Sequence, residues 1–241
     1  MLSPFFDIWY IVLIGPAFIL AMWAQSRVRG TYQKYSQVVS STGMPAAMAA
    51  RRILDAVGLH HVDVRRVPGE LTDHYDPRHK VLRLSEGVYD SNSLAAVAIA
   101  AHEAGHAVQD QTRYPWLVMR SAMVPMTTFG SKFGYVLLFL GFIMAGFLQN
   151  YEIGVPIAVI GLLLFSTAFV FSVITLPVEF NASARALKLM ESVRVVSSPE
   201  RMHAKKVLDA AALTYVAAMF IALMQVLYFA LRLLAMTGGR R

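Results

Sequence analysis

His102, Glu103 and His106 stand in the string His102-Glu103-Ala104-Gly105-His106, an H-E-x-x-H pattern on a predicted helix that Leu94 to Ala101 lead into. Two imidazoles four residues apart project from one helical face a turn apart, so two nitrogens can reach one metal ion. The glutamate beside the first lies over the open coordination position, where it can take a proton from water and deliver it elsewhere. That is hydrolytic chemistry. The competing reading is a pair of surface histidines on an ordinary helix. The chain contains no cysteine, which excludes disulfides, thiolate metal sites and a cysteine nucleophile, and leaves imidazole and carboxylate as the ligands.

A catalytic zinc site ordinarily takes three protein ligands, so a third is needed. Asp110 is one turn beyond His106, yet three consecutive ligands on one helix face would curve away from a single ion, and Asp110 reads as structural or solvent-facing. Thr112 stands where the longer H-E-x-x-H-x-x-G-x-x-H pattern demands histidine, which excludes that class. Glu179, in Leu176-Pro177-Val178-Glu179-Phe180-Asn181-Ala182-Ser183-Ala184-Arg185-Ala186, is the better candidate. It lies just past a proline at the end of an apolar stretch, beginning what reads as a second helix, where an uncompensated carboxylate is costly unless it binds a cation. Pairing with Arg185 or Lys188 is the alternative. A donor to the transition state could come from Tyr215, His203 or His74, each beside its plainer reading as an interfacial tyrosine or a surface histidine.

The elements that must position these groups belong to a membrane protein. Across 241 residues, 56% are hydrophobic and only 15% charged, with a mean hydropathy of +0.51, too apolar for an ordinary soluble domain. Apolar stretches run from about Phe5 to Ala24, from about Phe133 to Leu148 with Met123 to Gly130 as an added turn, from about Val155 to Leu176, and from about Ala212 to Met236. Arg27, Arg29 and Lys34 follow the first stretch, which places the N-terminus outside and the next segment in the cytoplasm. No basic segment precedes that stretch, which favours a membrane anchor over a cleaved signal peptide. Gln149-Asn150-Tyr151-Glu152 carries no Lys or Arg and belongs outside, whereas Arg185, Lys188, Arg194, Arg201, Lys205 and Lys206 return the chain to the cytoplasm. His102, His106 and Glu179 therefore share one side. The net charge of +7 is explained by this bias and does not call for nucleic acid. Four alternating spans leave Arg240 and Arg241 outside, against the same rule, so the fourth stretch could instead be re-entrant or lie along the surface.

Between the first two stretches the chain turns polar and mixes helix with strand. Met44 to Val57 has helical spacing, with Pro45 at a first-turn position and Gly58 as a stop. Val62, Val64 and Val67 suggest a strand, the segment Gly69 to Arg78 is turn-rich, and Lys80 to Ser85 alternates charged and apolar residues, which together read as a small hairpin. Val81, Leu82, Arg83 and Leu84 form a candidate edge strand on which a substrate could add as a further strand, with Lys80 and Arg83 facing solvent. Asp90 to Ser93 offers helix caps for the metal helix. Gly130, Gly134, Gly141 and Gly146 read as close helix-packing positions.

In several separated blocks the chain resembles the YugP-like family of bacterial membrane zinc metallopeptidases, and more distantly the membrane peptidases that include HtpX and the CAAX prenyl proteases. The blocks are Leu71-Thr72-Asp73-His74-Tyr75-Asp76-Pro77, Lys80 to Ser85, Ala101 to His106, Leu176 to Ala186, and Ala210-Ala211-Ala212-Leu213-Thr214-Tyr215-Val216-Ala217-Ala218. The resemblance implies a gluzincin-type site with His102, His106 and Glu179 as ligands of one zinc ion and Glu103 as general base. Four residues after the third ligand, where the distant relatives carry Asp, this chain has Ser183, so a hydroxyl would replace a carboxylate in backing the ligand histidines.

The expected fold is a mainly α membrane protein with a small α+β zincin-like (gluzincin) cytoplasmic domain and about four transmembrane helices. Its expected segments are 1–26, the first transmembrane helix; 27–120, the cytoplasmic zincin-like part with the hairpin and metal helix; 121–177, a transmembrane hairpin; 178–211, a cytoplasmic helical segment carrying the third ligand; and 212–241, a fourth apolar helix with a basic tail. The expected function is a membrane-embedded zinc endopeptidase of the bacterial plasma membrane. It would hydrolyse membrane-associated or misfolded proteins at the cytoplasmic side, with protein or peptide substrate and the lipid bilayer as partners. The alternative is a membrane scaffold or adaptor in which zinc is structural; the intact Glu103 favours the enzyme, since a structural site has no need of a base.

Overall fold

A computed structural model describes residues 8–238. Phe5, where the first apolar stretch begins, and Arg240 and Arg241 lie outside the described residues. In chain order the elements are α1 (Ile8–Ser36), α2 (Ala46–Ala56), β1 (Asp63–Val67), β2 (His74–Asp76), β3 (Val81–Ser85), α3 (Glu86–Tyr89), α4 (Leu94–Gln111), α5 (Pro115–Phe142), α6 (Tyr151–Ser192) and α7 (Ser198–Gly238), with a π-helical turn at Ile143–Phe147 after α5. Four helices, α1, α5 with its π-turn, α6 and α7, are long and apolar enough to cross a membrane. The chain divides into two compact units. The first takes the residues up to Trp23, Met119–Thr175 and those from Thr214 onward, and the second takes Ala24–Val118 and Leu176–Leu213.

The helices run further than the hydropathy pattern suggests. Helix α5 starts at Pro115, whose missing amide proton costs nothing in a first turn, well before the expected apolar onset. Helix α6 continues unbroken through Pro177 to Ser192, so the second helix expected to begin near Glu179 is the same helix. Proline removes one donor to the residue four back, a local loss that the flanking turns absorb. Helix α7 likewise joins the expected basic segment and the fourth apolar stretch into 41 helical residues.

In the first unit, α5 and α6 pack through glycines. A methyl group at Gly134 would lie 2.5 Å from the Phe165 nitrogen, one at Gly141 2.5 Å from the Ala158 nitrogen, and one at Gly161 2.4 Å from the Leu138 nitrogen. Backbones this close gain dispersion along their whole seam, a gain that lipid cannot match. Of the four glycines singled out by sequence, Gly130, Gly134 and Gly141 make such approaches. Gly146 instead meets only the Met236 Cε, at an ordinary 3.5 Å. Leu138, Phe142, Ala158 and Leu233 form the buried centre of this unit, and the Phe229 ring packs among those of Tyr135, Phe142 and Phe165.

The second unit is built around α4. Alanines along it, from Ala95 to Ala107, are buried, and the small side chains let α2 press its own Ala46, Ala49, Ala50 and Ile53 into the same core. The Ser93 hydroxyl caps α4 by accepting the Ala96 amide at 3.2 Å. A left-handed Gly58, at φ +76°, follows the end of α2. The three-stranded sheet has order β1-β3-β2. Strand β3 is parallel to β1, with Val64 opposite Leu82, and antiparallel to β2, with Tyr75 opposite Leu82. The hairpin is thus β2–β3 across the Pro77–Lys80 turn, whereas the 62–67 and 81–85 strands pair in parallel and so cannot form the expected hairpin. The sequence reading took β2 as turn because it holds only three residues between Asp, Pro and Gly neighbours.

This order also corrects the edge-strand expectation. Val81, Leu82, Arg83 and Leu84 lie on the central strand, paired on both sides and buried except for a partly exposed Arg83. The charge alternation that suggested a solvated edge has another cause. Lys80 pairs with Asp110 and Arg83 with Asp76. The open edge next to α4 belongs to β2. At the other end of the hairpin, the half-buried Asp73 carboxylate accepts the Ser85 amide at 2.8 Å and the Ser85 hydroxyl at 3.0 Å.

Candidate metal centre

Helices α4 and α6 bring three side chains of the second unit together. The His102 Nε2 lies 3.2 Å and the His106 Nε2 3.6 Å from the same oxygen, Glu179 Oε2, and ligand atoms of all three fall within 4.8 Å of one another. The two rings stand nearly perpendicular, at 88°, with centroids 4.7 Å apart. Glu179 is only 2% exposed, and a carboxylate so deeply buried demands positive partners. Arg185, the alternative partner, donates its Nε to Asn181 Oδ1 at 2.7 Å.

The approach of the two helices depends on Gly105. A methyl group there would stand 2.5 Å from the carbonyl oxygen of Ala182, so only glycine lets α6 come near enough to set Glu179 against the histidines. The cost is about 1 kcal/mol of helix propensity relative to alanine.

Each imidazole is held by its other nitrogen. The His102 Nδ1 lies 3.1 Å from Ser183 Oγ, the residue identified by sequence as the replacement for a backing carboxylate. The His106 Nδ1 lies 2.9 Å from Gln109 Oε1. Gln109 is fully buried, and its amide nitrogen donates to the Val178 carbonyl at 2.8 Å and to Asn181 Oδ1 at 3.0 Å. Those two acceptors fix which end of the amide faces the ring, and an amide oxygen can only accept. The Nδ1 therefore carries a proton, which leaves Nε2, on the Glu179 side, as the nitrogen that could bind a metal ion. Burial works against a charged His106, but the Glu179 and Glu103 carboxylates outweigh it and raise its pKa above the ordinary imidazole value. A cation in the site would satisfy the same field with both rings neutral. Two imidazole nitrogens and a carboxylate oxygen, with both distal ring nitrogens anchored, fit one zinc ion.

Glu103 lies beside this cluster without joining it. Its Oε2 accepts the Tyr75 backbone amide at 2.9 Å. Asp110 is also outside the cluster, accepting the Tyr75 hydroxyl at 2.7 Å and the Lys80 ammonium, and Thr112 ends α4 with its hydroxyl on the Val108 carbonyl. His74 is exposed, with Nδ1 2.8 Å from the Thr72 carbonyl, and His203 lies against the Tyr35 ring at 5.3 Å. Neither is assembled with the His102, His106 and Glu179 cluster. Tyr215 belongs to the first unit, half-buried on α7. Sequence reasoning missed Gln109 and Tyr75. Gln109 carries a readable signal, since it lies three residues after His106 on the same helical face.

Residues 10–234 match the family described as "Putative neutral zinc metallopeptidase". The chain is 46% identical over 220 residues to the "Putative membrane protease YugP" of Bacillus subtilis (strain 168), covering 91% of this chain and 94% of that relative. No solved structure matches it. A match spanning nearly the whole chain, together with an assembled His-His-Glu cluster, identifies this protein as a member of that zinc metallopeptidase family.

Proposed function

We propose that the protein is a membrane-embedded zinc endopeptidase that cleaves membrane-associated or misfolded proteins at the cytoplasmic face of the bacterial plasma membrane. The observation that carries this reading is the position of Glu103, a carboxylate beside the His102, His106 and Glu179 cluster but held by an amide of β2. That amide occupies one carboxylate oxygen only, and a purely structural zinc site needs no general base beside it. His102, His106 and Glu179 would hold the zinc, which when bound supplies the Lewis acidity that makes water nucleophilic near neutral pH and polarises a scissile carbonyl. Glu103 would serve as the general base, its carboxylate accepting a proton from water and passing it to the departing amine.

Strand β2, the sheet edge beside α4, is where a substrate strand would add. Tyr75 turns its amide away from β3 toward Glu103, and in an extended strand its carbonyl faces the same way. With the Tyr75 amide engaged by Glu103, an extended peptide laid along β2 would meet the Tyr75 carbonyl beside the base, a contact that recognises backbone and not a particular sequence. The cytoplasmic orientation rests on the clustering of Lys and Arg beside the apolar stretches.

The decisive comparison is Glu103→Gln against wild type in purified full-length protein. The variant is expected to retain zinc, measured by metal analysis, while losing chelator-sensitive cleavage of an unfolded protein by about 100- to 10,000-fold. Full cleavage by the variant would remove Glu103 from the reaction, and zinc-replete wild type without any cleavage would favour the scaffold reading.

A further inference from the structure

Tyr75 touches α4 at two places. Its backbone amide donates to Glu103 Oε2 at 2.9 Å, and its hydroxyl donates to Asp110 Oδ2 at 2.7 Å. Glu103 and Asp110 are seven residues apart in sequence, two turns along one face of the helix. One residue of a three-residue strand thus bridges the base and a second carboxylate further along the same helix. The Lys80 ammonium binds the same Asp110 oxygen, so both ends of the β2–β3 turn are fastened to it.

These contacts are built to persist. Burial and the Asp110 carboxylate hold the Tyr75 phenol far above its ordinary ionisation range, so it stays a donor. Lys80 offsets the Asp110 charge and itself sits in the left-handed region, at φ 54°, a conformation that non-glycine residues adopt only when surrounding contacts hold it there. At the other end of the turn, Asp76 accepts the Arg78 and His79 amides at 3.0 and 3.2 Å and pairs with Arg83.

We propose that Tyr75 and Asp110 are positioning residues for the general base: Asp110 sets the height of β2 along α4 through the Tyr75 hydroxyl, and the Tyr75 amide then fixes the rotamer of Glu103. With one carboxylate oxygen held by the amide, the other is presented for proton transfer. This inference rests on the peptidase reading for its kinetic consequence but not for its structural one. Placement errors of about an ångström at a reacting group cost up to about 100-fold in rate, so the loss belongs in kcat.

The test uses full-length zinc-loaded protein in detergent or nanodiscs, with Tyr75→Phe, Asp110→Ala and Asp110→Asn compared on a quenched peptide substrate. Tyr75→Phe and Asp110→Ala are expected to lower kcat about 10- to 100-fold with KM within about threefold and zinc retained. Asp110→Asn, which keeps an acceptor for the phenol, is expected to recover most of that loss. Hydrogen exchange of the segment carrying Tyr75 gives a readout independent of turnover, and it is expected to accelerate at least about tenfold in Asp110→Ala and in Glu103→Ala. Unchanged kcat in both Tyr75→Phe and Asp110→Ala, parallel loss of zinc with kcat, or unchanged exchange would each overturn the clamp. If wild type binds zinc and cleaves nothing, the peptidase reading fails while the exchange measurement still decides the clamp.

Discussion

Glycine brings helices into backbone contact in both compact units, with different results. In the first unit Gly134, Gly141, Gly154 and Gly161 distribute the approach of α5 and α6 over several turns. In the second unit the comparable approach is Gly105 on α4 against Ala182 on α6, and it carries Glu179 to the two histidines. The first arrangement spreads its energy over a seam of dispersion contacts, where loss at one point is shared by its neighbours. The second is concentrated at one point, beside three side chains that could hold a metal ion. The same device therefore serves cohesion in one region and the assembly of a His-His-Glu cluster in the other.

Substitutions at matched positions can break that contrast. Gly105→Ala is expected to have the largest effect. Its methyl group would meet the Ala182 oxygen at 2.5 Å, so α4 and α6 must part and zinc affinity should fall on the order of 100-fold or more, read by competition with a chromophoric chelator. Gln109→Ala leaves the helices in place but frees the His106 ring and strips partners from the Val178 carbonyl and Asn181. A loss of about 10- to 100-fold in zinc affinity is expected in the same assay. Gly141→Ala presents an equally tight contact, 2.5 Å from the Ala158 nitrogen, yet should cost only about 1–3 kcal/mol of thermal stability with zinc stoichiometry unchanged. Retained zinc in Gly105→Ala with zinc lost in Gly141→Ala would reverse the contrast.

The candidate metal cluster was more legible than the scaffold. His102, Glu103 and His106 announce themselves by spacing, and Glu179 stands out because a carboxylate at an apolar boundary needs a reason. Ser183 was reached only through the family resemblance, as the residue standing where distant relatives carry Asp. What stayed hidden follows a physical pattern. The Tyr75 amide is a backbone donor, and backbone groups are common to almost every residue. Strand β2 is too short to show alternation, and β3 looked like an edge because the partners of Lys80 and Arg83 come from elsewhere in the fold. Helices α6 and α7 were divided where polarity changes, at Pro177 and near Ala212, but hydrogen bonds along a helix axis do not depend on which solvent surrounds the side chains.

The composition of the ligand set also bears on which ions the pocket accepts. Two imidazoles and one carboxylate, in a chain without a single cysteine, impose no soft-ligand preference, and such a set accommodates cobalt(II) as well as zinc(II). Zinc, with its filled d shell, is spectroscopically silent. Cobalt in the same pocket absorbs visible light in bands that respond to coordination number, so a colour change would report the arrival of substrate or inhibitor without any label on the protein.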